Sequence, residues 1–434
     1  MSEFFEIAYA AVNKGLCLFT GSGFSKAVSS NEAPSWQQLL EGLCEKCEDP
    51  GALRNALFPA NGRNPLSLEE SAQVLSIELT KRGLNIHTEI ADAVLKLELK
   101  GDNTLVASFC KDNSFRVITT NYDKLMEALC GDSSCQSLTP GLPIPRSEAR
   151  IKVYHVHGSV DVPENMVVTA DDYFRFLNAE TYFSRKLSTV LHENTVVILG
   201  YSLGDTNLKA ILSDYRGFAR NYAIGSNILM VSRSAVDRHI KDYYSNCYGI
   251  RVLDSLEVPE FFAKLSAEIS AAKACNDSTQ ENIRNVILKG WKFTEPYLRL
   301  HNSFYEIVSS ISAIGFSIDD KRVVAMFGAI IKSKFGLAQV PGAWDQYVHL
   351  AQWLIYLASI LEIKGTSIEA LYLEAVKFSM TKMSKDLLLG YSWQSYQAWN
   401  SRWDSIMPSN RALIRDYVLK ATSWKDAIAI VSLS

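Results

Sequence analysis

The stretch LFTGSGFSKA, residues 18–27, indicates the fold most directly. It joins a short apolar run to Gly-Ser-Gly and then to a segment that can start a helix. Gly21 and Gly23 carry no Cβ, so the backbone can adopt positive φ and a ligand can approach it closely. A helix starting near Phe24 or Ser25 would present free amides and its positive dipole end to an anion. By itself, the loop is equally consistent with a tight strand–helix turn, because neither GxGxxG nor GxxxxGK[ST] is present.

Short, continuously apolar segments recur along the first part of the chain and predict strands. They cover residues 16–20, 115–120, 152–158, 196–201, 227–232 and 250–254. Strands buried on both faces of a parallel sheet have this continuous apolar pattern. The long connections between them predict an α/β fold with a Rossmann-like doubly wound parallel sheet, in which ligands bind at the carboxyl ends of the strands.

The pattern of the chain changes after about residue 275. Residues 1–274 are predicted to form the α/β domain, with a helical insertion at about 34–110. Residues 276–434 show apolar residues at helical spacing, which predicts an all-α C-terminal domain. Seven of the eight tryptophans lie between residues 291 and 424. We expect most of these aromatic residues in the domain core and the others at a subunit interface.

Composition narrows the class of protein. The chain has 434 residues, 47% of them hydrophobic, and a formal net charge of -3. This balance is typical of a soluble globular protein, and direct nucleic-acid binding is not expected. Cys44 and Cys47 form a single CxxC without a second ligand pair, so we expect thiols and no metal site. Without a signal peptide or an apolar run near ~20 residues, a cytoplasmic location without membrane contact is expected.

Polar residues follow the predicted strands at the edge where a ligand would bind. Asn121 and Asp123 follow FRVITT, and an asparagine can both donate and accept hydrogen bonds. For Asp123, capping the next helix and a functional role are equally consistent with the sequence. His155 and His157 alternate along one predicted strand and should therefore face the same side. His157 is nearer the strand end and suits proton transfer, whereas we expect His155 to be structural.

Two later strand ends supply further candidates. VVILGYSLGDTNL places Gly200, Tyr201 and Ser202 after an apolar strand, and Ser232 follows NILMV. In this order, GSGFS, TTNYD, HVHGS and LGYSL resemble the motifs of the sirtuin family over roughly residues 15–255. The wider spelling is similar to the sirtuin-like NADases of bacterial antiviral defence, which accompany Thoeris systems, short Argonautes and HerA-type ATPases.

The resemblance implies a role for each matching residue, with NAD+ as substrate and no metal. Asn121 and His157 would be catalytic, with His157 as the base at the ribose hydroxyls. The residues implied to contact NAD+ are Gly21, Ser22, Gly23 and Ser25 at the pyrophosphate, Asp123 beside nicotinamide, Gly200, Tyr201 and Ser202 over the adenosine, and Ser232 by position alone.

Two departures from the deacylase pattern favour water as the acceptor. Residues 159–199 contain no cysteine, where sirtuin deacylases insert a zinc module, and APSWQQL stands where the family has IPDFR. The resemblance then implies an NAD+ hydrolase that releases nicotinamide and ADP-ribose and depletes cellular NAD in an abortive-infection defence. The alternatives are an NAD-dependent protein deacylase or ADP-ribosyltransferase, and a non-catalytic nucleotide sensor.

Control of such an activity is expected, because a constitutive NADase would kill its host. We expect a homo-oligomer, formed through the helical domain or residues 34–110. We also expect a trigger, either a nucleotide signal or a separate regulatory partner such as an ATPase, an Argonaute-like protein or a nucleotide-processing subunit.

Overall fold

A parallel sheet of seven strands forms the centre of the computed structural model. The model describes residues 2–60, 62–131, 134–144, 149–178, 182–201, 212, 227–275, 277–387 and 390–432. The strands are β1 (Leu16–Thr20), β2 (Phe115–Thr119), β3 (Cys135–Leu138), β4 (Ile151–His155), β5 (Thr195–Leu199), β6 (Ile228–Val231) and β7 (Ile250–Leu253). All pairings are parallel, in the order β3-β4-β2-β1-β5-β6-β7. The predicted parallel α/β fold is confirmed.

The six predicted strands are all present, and β3 is an addition. β3 has four residues, and only Leu138 is buried, so its sequence lacks the continuous apolar run that marks the other strands. It lies at the edge of the sheet beside β4. β4 ends at His155, which is earlier than the predicted strand 152–158.

Alternate residues of the inner strands point into two separate cores. Leu18 of β1 belongs to a core shared with the helices Ser2–Val12 and Val258–Ala274. Its neighbour Phe19 belongs to a core on the other face, shared with the helices Tyr182–Glu193 and Arg238–Tyr248. Both faces of the sheet are therefore covered by helices, which is why most residues of the inner strands are apolar.

The predicted insertion is helical and has strong local start signals. Its helices are Trp36–Cys44, Pro50–Leu57, Leu68–Lys81, Ile86–Val94 and Thr104–Asp112. Ser35 and Gln38 form a reciprocal capping box at the first of these, and Ser67 and Glu70 form another at the third. Cys44 and Cys47 are buried in the insertion's own core, where each thiol donates to a carbonyl four residues earlier.

The regular secondary structure described after residue 275 is entirely helical. Its α-helices are Asp277–Lys289, Glu295–Arg299, Ser303–Ala313, Lys321–Ala338, Trp344–Ile360, Glu369–Lys382, Tyr391–Arg402, Pro408–Ala421 and Lys425–Val431. A buried cluster runs without interruption from one face of the sheet through the helix Ser2–Val12 into these helices. Polar contacts accompany it, because the Tyr9 hydroxyl accepts hydrogen bonds from Gln280 and Ser310. Among the described helices, none is long and apolar enough to cross a membrane.

Candidate active site

A cavity of about 640 Å³ lies at the carboxyl edge of the sheet. β1 lies between β2 and β5, so the strand order reverses at β1. This switch point creates the crevice where doubly wound sheets bind ligands. The loops after β1, β2, β4 and β5 form the floor of the cavity. The residues of these loops that line it are Ser22, Ser25, Thr120, Asn121, Tyr122, Asp123, His157, Gly200 and Tyr201.

Most of the predicted site residues meet at this floor. Ser22, Ser25, Asn121, Asp123 and His157 all line the cavity, although up to 135 residues separate them in the chain. Gly200 and Tyr201 line it as well. Ser202 lies outside the described residues.

Ser232 lies apart from the other candidates. It follows β6, which is two strands away from β1, and it is absent from the described cavity lining. Its hydroxyl donates to the Ser234 carbonyl at 2.8 Å. The serine therefore stabilises its own turn.

The two glycines of the opening loop pack against the loop after β5. A Cβ on Gly21 would lie 2.8 Å from ring carbons of Tyr201, and one on Gly23 would lie 2.8 Å from the Gly200 Cα. The amides of Gly21 and Gly23 donate to the carbonyls of Leu199 and Gly200 at 3.0 and 2.9 Å. The amides of these two glycines are therefore occupied within the protein. The helix Ser22–Val28 starts slightly earlier than predicted.

Gly200 is a glycine for a backbone reason. Its φ is +72°, and a Cβ there would lie 2.0 Å from the Phe24 nitrogen. The next residue, Tyr201, joins the β5 loop to β1 and to the β2 loop. Its ring packs at 5.2 Å against Phe19, and its hydroxyl hydrogen bonds to Thr120. The β1 and β5 loops therefore form one interlocked unit.

A directional hydrogen-bond chain orients the Asn121 side chain. The Ser25 hydroxyl donates to Asp123 Oδ2 at 2.7 Å, so its oxygen accepts from Asn121 Nδ2 at 2.8 Å. Since the nitrogen of the amide faces Ser25, its Oδ1 points the other way. No described residue donates a hydrogen bond to this Oδ1. A free acceptor on a catalytic candidate is the arrangement that a water or a sugar hydroxyl would use.

The Asp123 carboxylate both hydrogen bonds at the start of a helix and contacts a site residue, the two roles that the sequence left open. Its Oδ1 accepts from the Leu125 amide at the start of the helix Leu125–Cys130, while Oδ2 accepts from Ser25. Burial raises the pKa of the Asp123 carboxyl, and the Ser25 hydrogen bond offsets part of this effect. The carboxyl is thus a fixed anchor for the Asn121 amide.

His157 is buried, and its Nε2 atom has no hydrogen-bond partner within the described chain. It lies in the turn after β4, which corrects the prediction that both histidines share one strand. The rings of Tyr173 and Phe176 contact its imidazole edge-to-face at 5.3 and 5.0 Å. Burial lowers the pKa of His157 to about 4, so the ring is neutral at neutral pH and can accept a proton or a hydrogen bond.

His155, the other histidine of the motif, is fully buried beneath the floor. Its Nδ1 contacts the Asn121 carbonyl oxygen at 3.0 Å, and its Nε2 contacts Glu127 Oε1 at 2.7 Å. It does not line the cavity among the described residues. This position agrees with the expected structural role.

The helical insertion forms the roof of the cavity, which the sequence motifs did not indicate. Its lining residues are Pro34, Ser35, Trp36, Gln37, Leu39, Ser67, Leu68, Glu69, Val94 and Leu97. The Trp36 ring packs edge-to-face at 6.0 Å against Tyr122, and its buried Nε1 has no acceptor within the described chain. The only sequence signal for this roof is APSW, which directly follows the glycine loop and its helix.

A second contact holds the insertion over the site. His87 of the insertion contacts Asp172 Oδ2 at 2.9 Å, at the start of the helix that carries Tyr173 and Phe176. Asp172 also accepts from the amide and hydroxyl of Thr169. Burial alone would raise the pKa of Asp172, but these hydrogen bonds lower it well below its usual range. The roof is thereby tied to the aromatic residues that bury His157.

Comparison with known proteins is consistent with this geometry. Residues 116–253 match the model of the SIR2-like domain, which spans β2 to β7 and leaves β1 and its glycine loop outside the match. Defense-associated sirtuin 2 of Bacillus subtilis is 24% identical over 259 residues, covering 58% of this chain and 24% of that protein.

The NAD(+) hydrolases named ThsA are similar over a comparable stretch. The Enterococcus faecium protein is 30% identical, covering 48% of this chain and 42% of the relative, and the Cytobacillus dafuensis protein is 28% identical, covering 49% and 40%. This chain spans less than half of the length of these curated relatives. It carries a SIR2-like domain and is a distant homologue of a defence-associated sirtuin and of NAD(+) hydrolases.

Proposed function

We propose that this protein hydrolyses NAD+ to nicotinamide and ADP-ribose. The observation that carries the proposal is the meeting of Asn121 and His157 in one cavity at the switch point of the sheet. Among the described residues, neither Asn121 Oδ1 nor His157 Nε2 has a hydrogen-bond partner. The similarity to proteins named as NAD(+) hydrolases supports this choice of substrate.

The residues support a dissociative mechanism. The bond between nicotinamide and the ribose C1″ breaks first, and nicotinamide leaves as a neutral molecule with the bonding electrons. The negative end of the Asn121 amide dipole, Oδ1, stabilises the oxocarbenium-like charge and orients the attacking water. The water oxygen bonds to C1″ and releases a proton, which the neutral His157 ring or solvent accepts.

The roof favours water over a protein acceptor. Insertion residues line the cavity together with Asn121, and many of their side chains are apolar, such as Leu39, Leu68 and Leu97. A covered cavity admits water and a small substrate more readily than an extended peptide. The absence of cysteine from residues 159–199 is a second departure from the deacylase pattern.

We also propose that the activity serves in antiviral defence and is controlled by a trigger. The name of the Bacillus subtilis relative supports a defence role, in which NAD+ depletion ends the infected cell. Control would come from a partner protein, such as an ATPase, Argonaute-like or nucleotide-processing subunit, or from a nucleotide signal. Self-association through the helical C-terminal region is part of this proposal.

The exposed aromatic residues of the helical region support an interface there. Trp353, Trp399 and Trp403 are buried in its core, whereas Trp291 and Trp344 are 55% and 63% exposed. Exposed tryptophans are enriched at protein interfaces. Size-exclusion chromatography with light scattering tests the oligomer, and purification of the native complex identifies a partner by its second band.

The test of hydrolysis uses purified protein incubated with NAD+, alone and with an acylated peptide, and follows nicotinamide and ADP-ribose by chromatography. Free ADP-ribose without peptide is the expected result. ADP-ribose production that requires the peptide, as O-acyl-ADP-ribose, would identify a deacylase instead. The same assay in cell extract supplies a missing activator, and Asn121→Ala is the inactive control in both.

A further inference from the structure

A buried pair of polar side chains, His155 and Glu127, lies directly beneath Asn121. His155 is fully buried, and it joins the Asn121 carbonyl oxygen to Glu127 Oε1 through its two ring nitrogens, at 3.0 and 2.7 Å. Glu127 lies on the helix Leu125–Cys130, about one turn after Asp123. The pair therefore connects the loop that carries Asn121 to β4 and to the helix that follows the loop.

The hydrogen-bond partners determine where the protons of His155 lie. A carbonyl oxygen can only accept, so Nδ1 must carry a proton to bond to Asn121. Burial alone would raise the pKa of Glu127, but His155 and Lys124 lower it to about 2, so this carboxylate also only accepts. Nδ1 is therefore the donor to Asn121, and Nε2 faces the carboxylate of Glu127.

Lys124 also contacts the Glu127 carboxylate. Lys124 Nζ lies 3.4 Å from Glu127 Oε1, donates to Ser137 Oγ at 2.7 Å and pairs with Asp161. Glu127 Oε2 is buried and has no partner within the described chain. A pair of this kind is costly to bury, and apolar residues of the same size would often be as stable. The contact between His155 and the Asn121 carbonyl gives the pair a second role, which is to hold the Asn121 backbone.

We propose that the His155–Glu127 pair positions Asn121 for NAD+ hydrolysis, an inference that rests on the proposed function. The Asn121 backbone is fixed at its carbonyl by His155 and at its amide by Thr119 Oγ1, 3.1 Å away. The side chain is fixed by Ser25. Because the backbone carbonyl and amide of Asn121 are both held, its side-chain Oδ1 keeps a fixed orientation relative to the cavity. His155 and Glu127 are positioning residues, because neither lines the cavity among the described residues.

Two substitutions distinguish the effect of the His155 hydrogen bonds from the effect of the Glu127 charge. His155→Phe keeps the ring but removes both hydrogen bonds, and we expect kcat to fall about 30-fold while the KM for NAD+ changes less than threefold. Glu127→Gln lets an amide donate to Nε2 of a neutral ring, so the Nδ1 bond to Asn121 survives. We expect kcat to fall less than fivefold in this variant, which is rescue by the conservative change.

The matched control is Asn194→Ala, at the opposite end of the sheet. Asn194 is buried before β5, accepts from Arg116 at 2.8 Å and donates to the Val190 carbonyl at 2.8 Å. Its loss should lower the unfolding temperature about as much as His155→Phe but leave kcat unchanged. Equal losses of kcat in both variants would show that only general stability is involved, and would overturn the proposal.

Nitrogen NMR of histidine- and asparagine-labelled protein tests the pair without reference to activity. At pH 7, Nδ1 of His155, which faces the Asn121 carbonyl, should carry a proton in the wild type and in Glu127→Gln. The side-chain amide signal of Asn121, assigned with Asn121→Ala, should shift in His155→Phe and stay in place in Asn194→Ala. These signals are visible even if NAD+ is not the substrate, so the two proposals can fail separately. An unprotonated Nδ1 of His155 in the wild type, or an unmoved Asn121 signal in His155→Phe, would overturn the positioning role.

Discussion

The floor and the roof of the cavity differ in what holds their side chains. On the floor, Asn121, Ser25 and Asp123 are fixed by hydrogen bonds that join the loops of β1 and β2. The roof is mainly apolar and comes from one insertion, with residues such as Trp36 and Leu68. Fixed polar groups suit the stabilisation of charge, whereas an apolar cover suits substrate fit and the exclusion of water. Substitutions on the floor should therefore change kcat, and substitutions on the roof should change KM.

The largest effect is expected on the floor. Asn121→Ala removes the free Oδ1 acceptor, and kcat should fall by about 10²–10³-fold, the usual cost of losing one preorganised polar group at a reacting centre. The measurement is the rate of nicotinamide release at saturating NAD+. Ser232→Ala, at a strand end outside the described cavity lining, is the control and should keep full activity. Full activity of Asn121→Ala would show that the site assignment is wrong.

The interlock beneath the floor should be sensitive to a single methyl group. Gly200→Ala puts a Cβ 2.0 Å from the Phe24 nitrogen at a φ of +72°, so we expect a loss of about 2–3 kcal/mol of stability. Gly42→Ala is the control, because Gly42 lies within the helix Trp36–Cys44 with nothing within 4 Å of its Cβ position. It should be neutral or slightly stabilising. Thermal unfolding measures both, and equal melting temperatures for the two variants would contradict the interlock.

The roof should respond in substrate affinity. Trp36→Ala removes from the cavity a large ring and an N–H that has no acceptor among the described residues. The KM for NAD+ should therefore rise about tenfold, or ~1.4 kcal/mol, with kcat nearly unchanged. Trp36→Phe keeps a ring without the N–H and shows how much of the effect is shape. Steady-state kinetics give both constants. A fall in kcat at constant KM would mean that the roof takes part in the chemistry and would break the comparison.

The smallest effect on kcat/KM is expected from lowering the pH. The pKa of His157 is lowered to about 4, so the ring stays neutral as the pH falls from 7.5 to 5.5, and kcat/KM should remain flat over that range. A histidine of ordinary pKa, about 6.5, would already be mostly protonated at pH 5.5. Phe176→Ala should let water reach His157 and move the acid limb of the profile upward. Circular dichroism at each pH confirms that the protein is folded, and a wild-type limb near pH 6.5 would contradict the burial effect.

The floor was largely predictable from the sequence, because each candidate directly follows a strand with a recognisable apolar run. Asn121, Asp123 and Gly200 are at the expected strand ends and meet in one cavity. The exact end of β4 was not predictable, since Val156 continues the apolar pattern although the strand stops at His155. The His155–Glu127 contact was also hidden, because it depends on how a helix lies against the sheet.

The sequence alone determined the parallel sheet and the loops that hold the polar candidates. These depend on short-range patterns, in which apolar runs form buried strands and glycines permit tight turns. Only the tertiary structure decided that the insertion covers the site, that the Gly21 and Gly23 amides bond to the β5 loop, and that His157 is neutral. Each of these depends on contacts between distant segments, and burial and hydrogen-bond direction exist only once those segments pack together.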